Sequence, residues 1–117
     1  MTLTKEDKEK LQEIRTRLKK NFKIFLTDEF RLQLKTIKDN PAQSGIEFQI
    51  KAAITKLAHS PKYKGLNSHK FSSLNEKYAC EVWESYVQNN TPGAWRIFWR
   101  YGKEKDMITL LLVTPHP

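Results

Sequence analysis

Cysteine is almost missing from this chain: Cys80 stands alone, which excludes an internal disulfide and any zinc site built from several thiolates. Glycine is scarce, with 4 residues in 117, and neither a Gly-rich phosphate loop nor a nucleophile elbow occurs. No apolar run approaches the roughly 18 residues of a membrane span, and the charged N-terminal stretch lacks the apolar centre of a secretory signal, so a soluble, cytoplasmic chain with no membrane partner is expected. His59, His69 and His116 show no metal-ligand spacing, and no carboxylate adjoins any of them in sequence. The expectation is therefore neither metal nor cofactor. Acidic residues are absent altogether from Phe48 to Asn75.

What is present describes one folded domain. A chain of 117 residues buries about two thirds of the surface it exposes when unfolded, enough for one core. Hydrophobic residues at 38% and aromatics at 11%, with 3 Trp and 6 Phe, lie well away from disordered compositions. With 21 Lys and Arg against 13 Asp and Glu, the net charge of +8 favours a polyanionic or acidic partner over a cationic one.

The order is helices first, then sheet. Thr4 and Asp7 read as an N-terminal cap, and Leu11, Ile14 and Leu18 repeat on one face of an otherwise charged helix ending near Asn21. A stripe that narrow buries little alone, so the helix must lean on the domain or on another chain. Residues 1–21 are thus read as a helical extension and 22–117 as the domain proper. Phe22, Ile24 and Leu26 alternate with Lys23 and Phe25, which predicts a short strand with both faces at least partly covered. Thr27 and Asp28 cap a helix carrying Phe30, Leu34 and Ile37, stopped by Asn40 and Pro41. Ser44 with Glu47 reads as a capping box for a second helix, whose apolar face is Ile46, Ile50, Ala53, Ile54 and Leu57 and whose end is Ser60-Pro61. Strands are expected at 78–87, 94–101 and 107–114, pairing as an antiparallel meander that the first strand joins. The fold class is α+β: two helices on a small antiparallel sheet of about four strands, with an extra N-terminal helix.

Two segments carry the chemistry. Lys62, Lys64 and Lys70 accumulate beside Tyr63 and His69 in an acid-free loop, a mixture that suits phosphate neutralisation with stacking on unpaired bases, and equally a solvated lysine-rich loop. In Ala94-Trp-Arg-Ile-Phe-Trp-Arg-Tyr101, period-two alternation puts Trp95, Ile97, Trp99 and Tyr101 on a core face and Arg96, Phe98 and Arg100 on the other. Forked guanidinium donors on a rigid strand match phosphodiester oxygens. The plainer role for Arg96 is a cross-strand pair with Glu81 or Glu84. His116 follows the last expected strand, where a sheet commonly presents residues to a cleft, whereas His59, in a helix's final turn, fits a structural role.

The segments Gly65-Leu-Asn-Ser-His-Lys-Phe71, Val82-Trp-Glu-Ser-Tyr86, Trp95-Arg-Ile-Phe-Trp99 and Thr114-Pro-His116, in this order, resemble the RelE/ParE superfamily of bacterial toxins from about residue 22 to 117. Within it the chain is most similar to the YafQ-like ribonuclease branch, where one His precedes the first meander strand and another follows the last, as His69 and His116 do. Arg96 matches the basic residue many members carry on the middle strand. The resemblance implies a type II toxin: a ribosome-dependent, metal-independent endoribonuclease that cleaves messenger RNA by 2'-hydroxyl attack and is blocked by a cognate antitoxin. It assigns proton transfer to His69 or His116 and phosphate charge to Arg96 and Arg100. RNA docking falls to Lys62, Lys64 and Lys70, and base stacking to Tyr63 or Phe98. The further histidine that YafQ-like enzymes carry on the first meander strand is missing from Tyr78-Ala-Cys-Glu-Val-Trp-Glu84, which leaves Glu81 or Glu84 as an alternative base. Two other readings stay open: a ParE-like toxin that binds DNA gyrase without chemistry, and a basic RNA-binding module.

Overall fold

A computed structural model describes residues 3–116. Helix α1 (Lys5–Arg17) opens on the expected cap: Thr4 Oγ1 accepts from the Asp7 amide at 3.0 Å, and the Asp7 carboxylate accepts from the Thr4 amide at 3.4 Å. Leu3 and Leu11 pack with Ala52, flanked by Ile14 and Phe48. The narrow stripe therefore docks on the domain itself. Strand β1 (Lys23–Leu26) turns Ile24 and Leu26 into the main core but leaves Phe25 52% exposed, so its second face is uncovered, against the sequence expectation. Helix α2 (Asp28–Lys38) is capped by Thr27, whose Oγ1 accepts from the Phe30 amide at 3.1 Å.

The capping box expected at Ser44 does not form. A 3-10 turn over Pro41–Gln43, itself capped by the Asn40 side chain, runs straight into α3 (Ser44–His59). Ser44 thus lies inside continuous helical backbone. Glu47 is buried instead, an ion pair at 3.0 Å from Lys51 Nζ one turn on, with no hydrogen-bond partner on either oxygen among the described residues.

Beyond α3 the chain forms β2 (His69–Lys70), a 3-10 turn, α4 (Asn75–Tyr78), β3 (Trp83–Tyr86), β4 (Trp95–Tyr101) and β5 (Met107–Pro115). The strand expected from Tyr78 begins only at Trp83. Asn75–Tyr78 coils into a helical turn, Ala79 reverses the chain at φ 54°, and the Asn75 side chain accepts from the Val82 amide at 2.8 Å. The described residues contain one sheet of 5 strands in the order β1-β5-β4-β3-β2, with β1 parallel to β5 and the other neighbours antiparallel. The α+β class and the meander hold, but the sheet is mixed rather than antiparallel because β1 joins it parallel to β5, and β2 and the short α4 are a strand and a helix beyond those expected.

The two faces of this sheet differ. Phe30 and Ile37 from α2 and Ile50, Ala53 and Leu57 from α3 close over Ile97, Trp99, Ile108, Leu110 and Val113 as the main core. On the opposite face Val82, Phe98 and Leu111 form a smaller cluster under Phe71, Leu74, Tyr78 and Cys80. A bulge helps build it. Phe98 faces Leu112 whereas Trp99 faces Leu110, so Leu111 is the extra residue, and both Leu111 and Leu112 pack with Phe98.

Candidate active site

Cross-strand register on the second face brings three ionisable side chains together. His69 of β2 lies opposite Glu84 of β3, Glu84 lies opposite Phe98 of β4, and Arg96 is two residues from Phe98 on the same face. The Glu84 carboxylate bridges the set: Oε1 is 2.7 Å from His69 Nε2 and Oε2 is 2.8 Å from Arg96 Nη1. Glu84 is 2% exposed and Arg96 9%, whereas the His69 side chain is 47% exposed. Of the two acids that sequence offers as Arg96's partner, Glu84 is the one.

Each member is fixed by more than charge. The Arg96 guanidinium lies 4.9 Å from the Phe98 ring centroid and 5.8 Å from that of Phe71, within cation–π range. Its Nε has no hydrogen-bond partner among the described residues. His69 Nδ1 is 2.8 Å from the Asn67 carbonyl oxygen, and Tyr86 meets the ring edge-on at 5.9 Å. A carbonyl can only accept, so Nδ1 donates to it, which leaves Nε2 facing Oε1 of Glu84. The arrangement orients an imidazole at the surface.

Beside it opens a polar cleft of about 710 Å³ lined by residues that include Asn67, Tyr86, Gln88, Asn90, Gly93 and His116. Asn67 and Tyr86 are the residues that hold His69, so cleft and ion set share a wall. The His116 amide donates to the Ala94 carbonyl at 2.8 Å, extending the β4–β5 ladder by one step. Since Arg96 lies opposite Thr114, His116 and Arg96 occupy one face of the sheet. They do not line one pocket: His116 borders the cleft, and Arg96 turns inward to Glu84.

The other residues picked out from sequence scatter. Lys62 and Lys64 are exposed in the loop after α3. Lys70 pairs with Glu81 at 3.2 Å, both in solvent, so Glu81 lies outside the ion set. Phe98, at 2% exposure, and Tyr63, packed against the main core beside His59 and Lys56, are structural rings rather than open stacking platforms. Arg100 sits toward the far end of β4, in a separate hollow with Phe25 and Leu111, and its Nε donates to the Tyr101 carbonyl at 3.1 Å. Sequence reasoning missed Asn67, Phe71 and Tyr86. Tyr86 was within reach, two residues after Glu84 on the same face of a strand; Phe71, arriving from an irregular segment, had no such signal.

Among the described residues no cluster of three or more His, Cys, Asp or Glu side chains is arranged to hold a metal ion, and no helix is long and apolar enough to cross a membrane. No family model, no curated protein and no solved structure matches this chain.

Proposed function

We propose that this chain is a toxin-like endoribonuclease of the RelE/ParE kind, cutting messenger RNA on the ribosome by attack of a ribose 2'-hydroxyl on the adjacent phosphorus. One observation carries the reading: a half-exposed, doubly anchored His69 meets Glu84 beside Arg96, at the wall of a cleft that His116 also lines. His116 takes the 2'-hydroxyl proton as the 2'-oxygen bonds to phosphorus. A proton carried by His69 Nε2 passes to the departing 5'-oxygen, which leaves a 2',3'-cyclic phosphate and a 5'-hydroxyl. For that transfer the His69–Glu84 bond opens toward solvent, a ring rotation that the exposure of His69 permits. Arg96 does not reach the cleft; bonded to Glu84 Oε2, it fixes the carboxylate that orients His69. Lys62, Lys64 and Lys70 neutralise neighbouring phosphates, and a cognate antitoxin silences the protein by covering this face.

A second reading has one observation in its favour. Glu84 occupies the reactive edge of His69 and leaves Arg96 only 9% exposed, as a purely structural brace would. The chain is then a gyrase-binding toxin without chemistry. Expression without antitoxin, with transcripts followed in a translating extract, separates the two. The nuclease reading predicts cleavage products ending in 2',3'-cyclic phosphate, reduced about 100-fold or more in His69→Ala and in His116→Ala. Intact transcripts beside arrested growth overturn it in favour of gyrase binding, and unaffected growth with intact transcripts overturns both.

A further inference from the structure

We infer that the hollow between α1, α3 and β1 is a binding site for an amphipathic carboxylate, an aliphatic chain ending in one negative charge, of the class of the medium-chain fatty acids. It shares no lining residue with the cleft beside His69 and does not depend on the ribonuclease reading. Its volume of about 400 Å³ falls within the range of small-molecule sites. The walls are aliphatic: Leu18 at the end of α1, Ile24 of β1, and Ile54 and Ala58 of α3, a surface on which an apolar chain replaces water. Among the described residues no aromatic ring and no side-chain amide lines it, so it lacks the stacking surface and paired donors and acceptors that a base requires. Its one hydroxyl, Thr55 Oγ1, already donates to the Lys51 carbonyl at 3.0 Å.

The remaining lining groups are cations, and they come from three separate stretches: Arg15 from α1, Lys20 from the linker that follows it, and Lys51 from α3, with no acid among them. Such side chains lay their stems along apolar surface and keep their charged heads at its mouth. The Arg15 and Lys20 side chains make no hydrogen bond or ion pair among the described residues. Lys51 Nζ is steadied at 3.0 Å by Glu47 Oε2, a carboxylate only 1% exposed, while the lysine side chain stays 30% exposed. Glu47 thus fixes one ammonium without entering the hollow, and like charges converging on one apolar space favour an anion between them. The linker wall is held in advance. His59 Nδ1 donates to the Lys19 carbonyl at 2.7 Å, Asn21 Nδ2 donates to the His59 carbonyl at 2.9 Å, and the Asn21 amide donates to the Ala58 carbonyl at 2.8 Å, so a ligand meets a frame already ordered. Because α1 rests on the domain through few side chains, a ligand touching α1, α3 and β1 together also fastens that helix.

The test is a titration of the full chain with monomeric decanoate, followed by methyl and amide NMR, beside decanol, acetate and phosphatidylglycerol vesicles. Decanoate is expected to bind saturably, one per chain, and to shift the Leu18, Ile24 and Ile54 methyls, with decanol and acetate each weaker by about ten-fold or more. Arg15→Gln and Lys20→Gln are each expected to weaken decanoate about five-fold or more. Both residues are exposed and their side chains hold nothing in place, so neither change puts the fold at risk. Decanol binding as well as decanoate, shifts outside the hollow, indifference to both substitutions, or no saturable binding overturns the inference. Attachment to the vesicles without binding of decanoate also overturns it and makes this side of the molecule a membrane contact.

Discussion

The two faces of the sheet use burial for different ends. Under α2 and α3, Phe30, Ile50, Leu57, Ile97 and Trp99 are fully buried apolar side chains that meet one another, and each removes apolar surface from water at little polar cost. Across the same strands, Glu84 and Arg96 are nearly as deeply buried, yet a desolvated ion pair commonly returns no more than its desolvation costs. One face therefore holds the fold together. The other keeps a desolvated charge arrangement next to a cleft.

That contrast breaks first where the helix-covered face is weakest to attack. Trp99→Ala removes a fully buried ring stacked 5.6 Å from Trp83 and is expected to cost about 3–5 kcal/mol, read as a drop in urea midpoint. A loss below about 1 kcal/mol would mean that the main core does not carry the stability assigned to it.

A smaller effect sharpens how the second face is tied to the first. Tyr78, in the α4 cover, donates its hydroxyl to Glu29 Oε1 of α2 at 3.1 Å. Burial, helped by that hydrogen bond, pushes its phenol up to about 12. The unfolded phenol ionises near 10, so Tyr78's contribution is fully present below about pH 10 and is lost as pH rises toward about 12. Urea midpoints measured at pH 8 and pH 11 should therefore fall further for the wild type than for Tyr78→Phe. Identical falls would show that the tie carries nothing.

Sequence periodicity made the helix-covered face readable. The stripes of α1, α2 and α3, the Thr4 and Thr27 caps, and the alternation of β4 and β5 all follow from one apolar surface meeting another. The second face was legible only in part. Arg96–Glu84 is a cross-strand pair visible from alternation, but β2 is two residues long, too short for any pattern, and its register alone brings His69 to Glu84. Tyr78, Cys80 and Val82 alternate like a strand and do pack in one cluster, yet a helical turn and the left-handed Ala79 deliver them there. Ser44-x-x-Glu47 matched a cap, but a turn begun at Pro41 enters the helix earlier and leaves the motif inside it. The cleft was out of reach, because loops more than twenty residues apart build it through Asn67–Asn89 and Asn89–Gly65 bonds.

The most direct measurement replaces the whole ion set at once, as His69→Gln with Glu84→Leu and Arg96→Met, and reads stability and RNA cleavage on the same sample. Charges kept for chemistry predict a variant at least as stable as the wild type, to within about 1 kcal/mol, with cleavage lost about 100-fold or more. A variant destabilised by about 3 kcal/mol, with any remaining cleavage simply following its folded fraction, would make the set a structural brace and contradict the account.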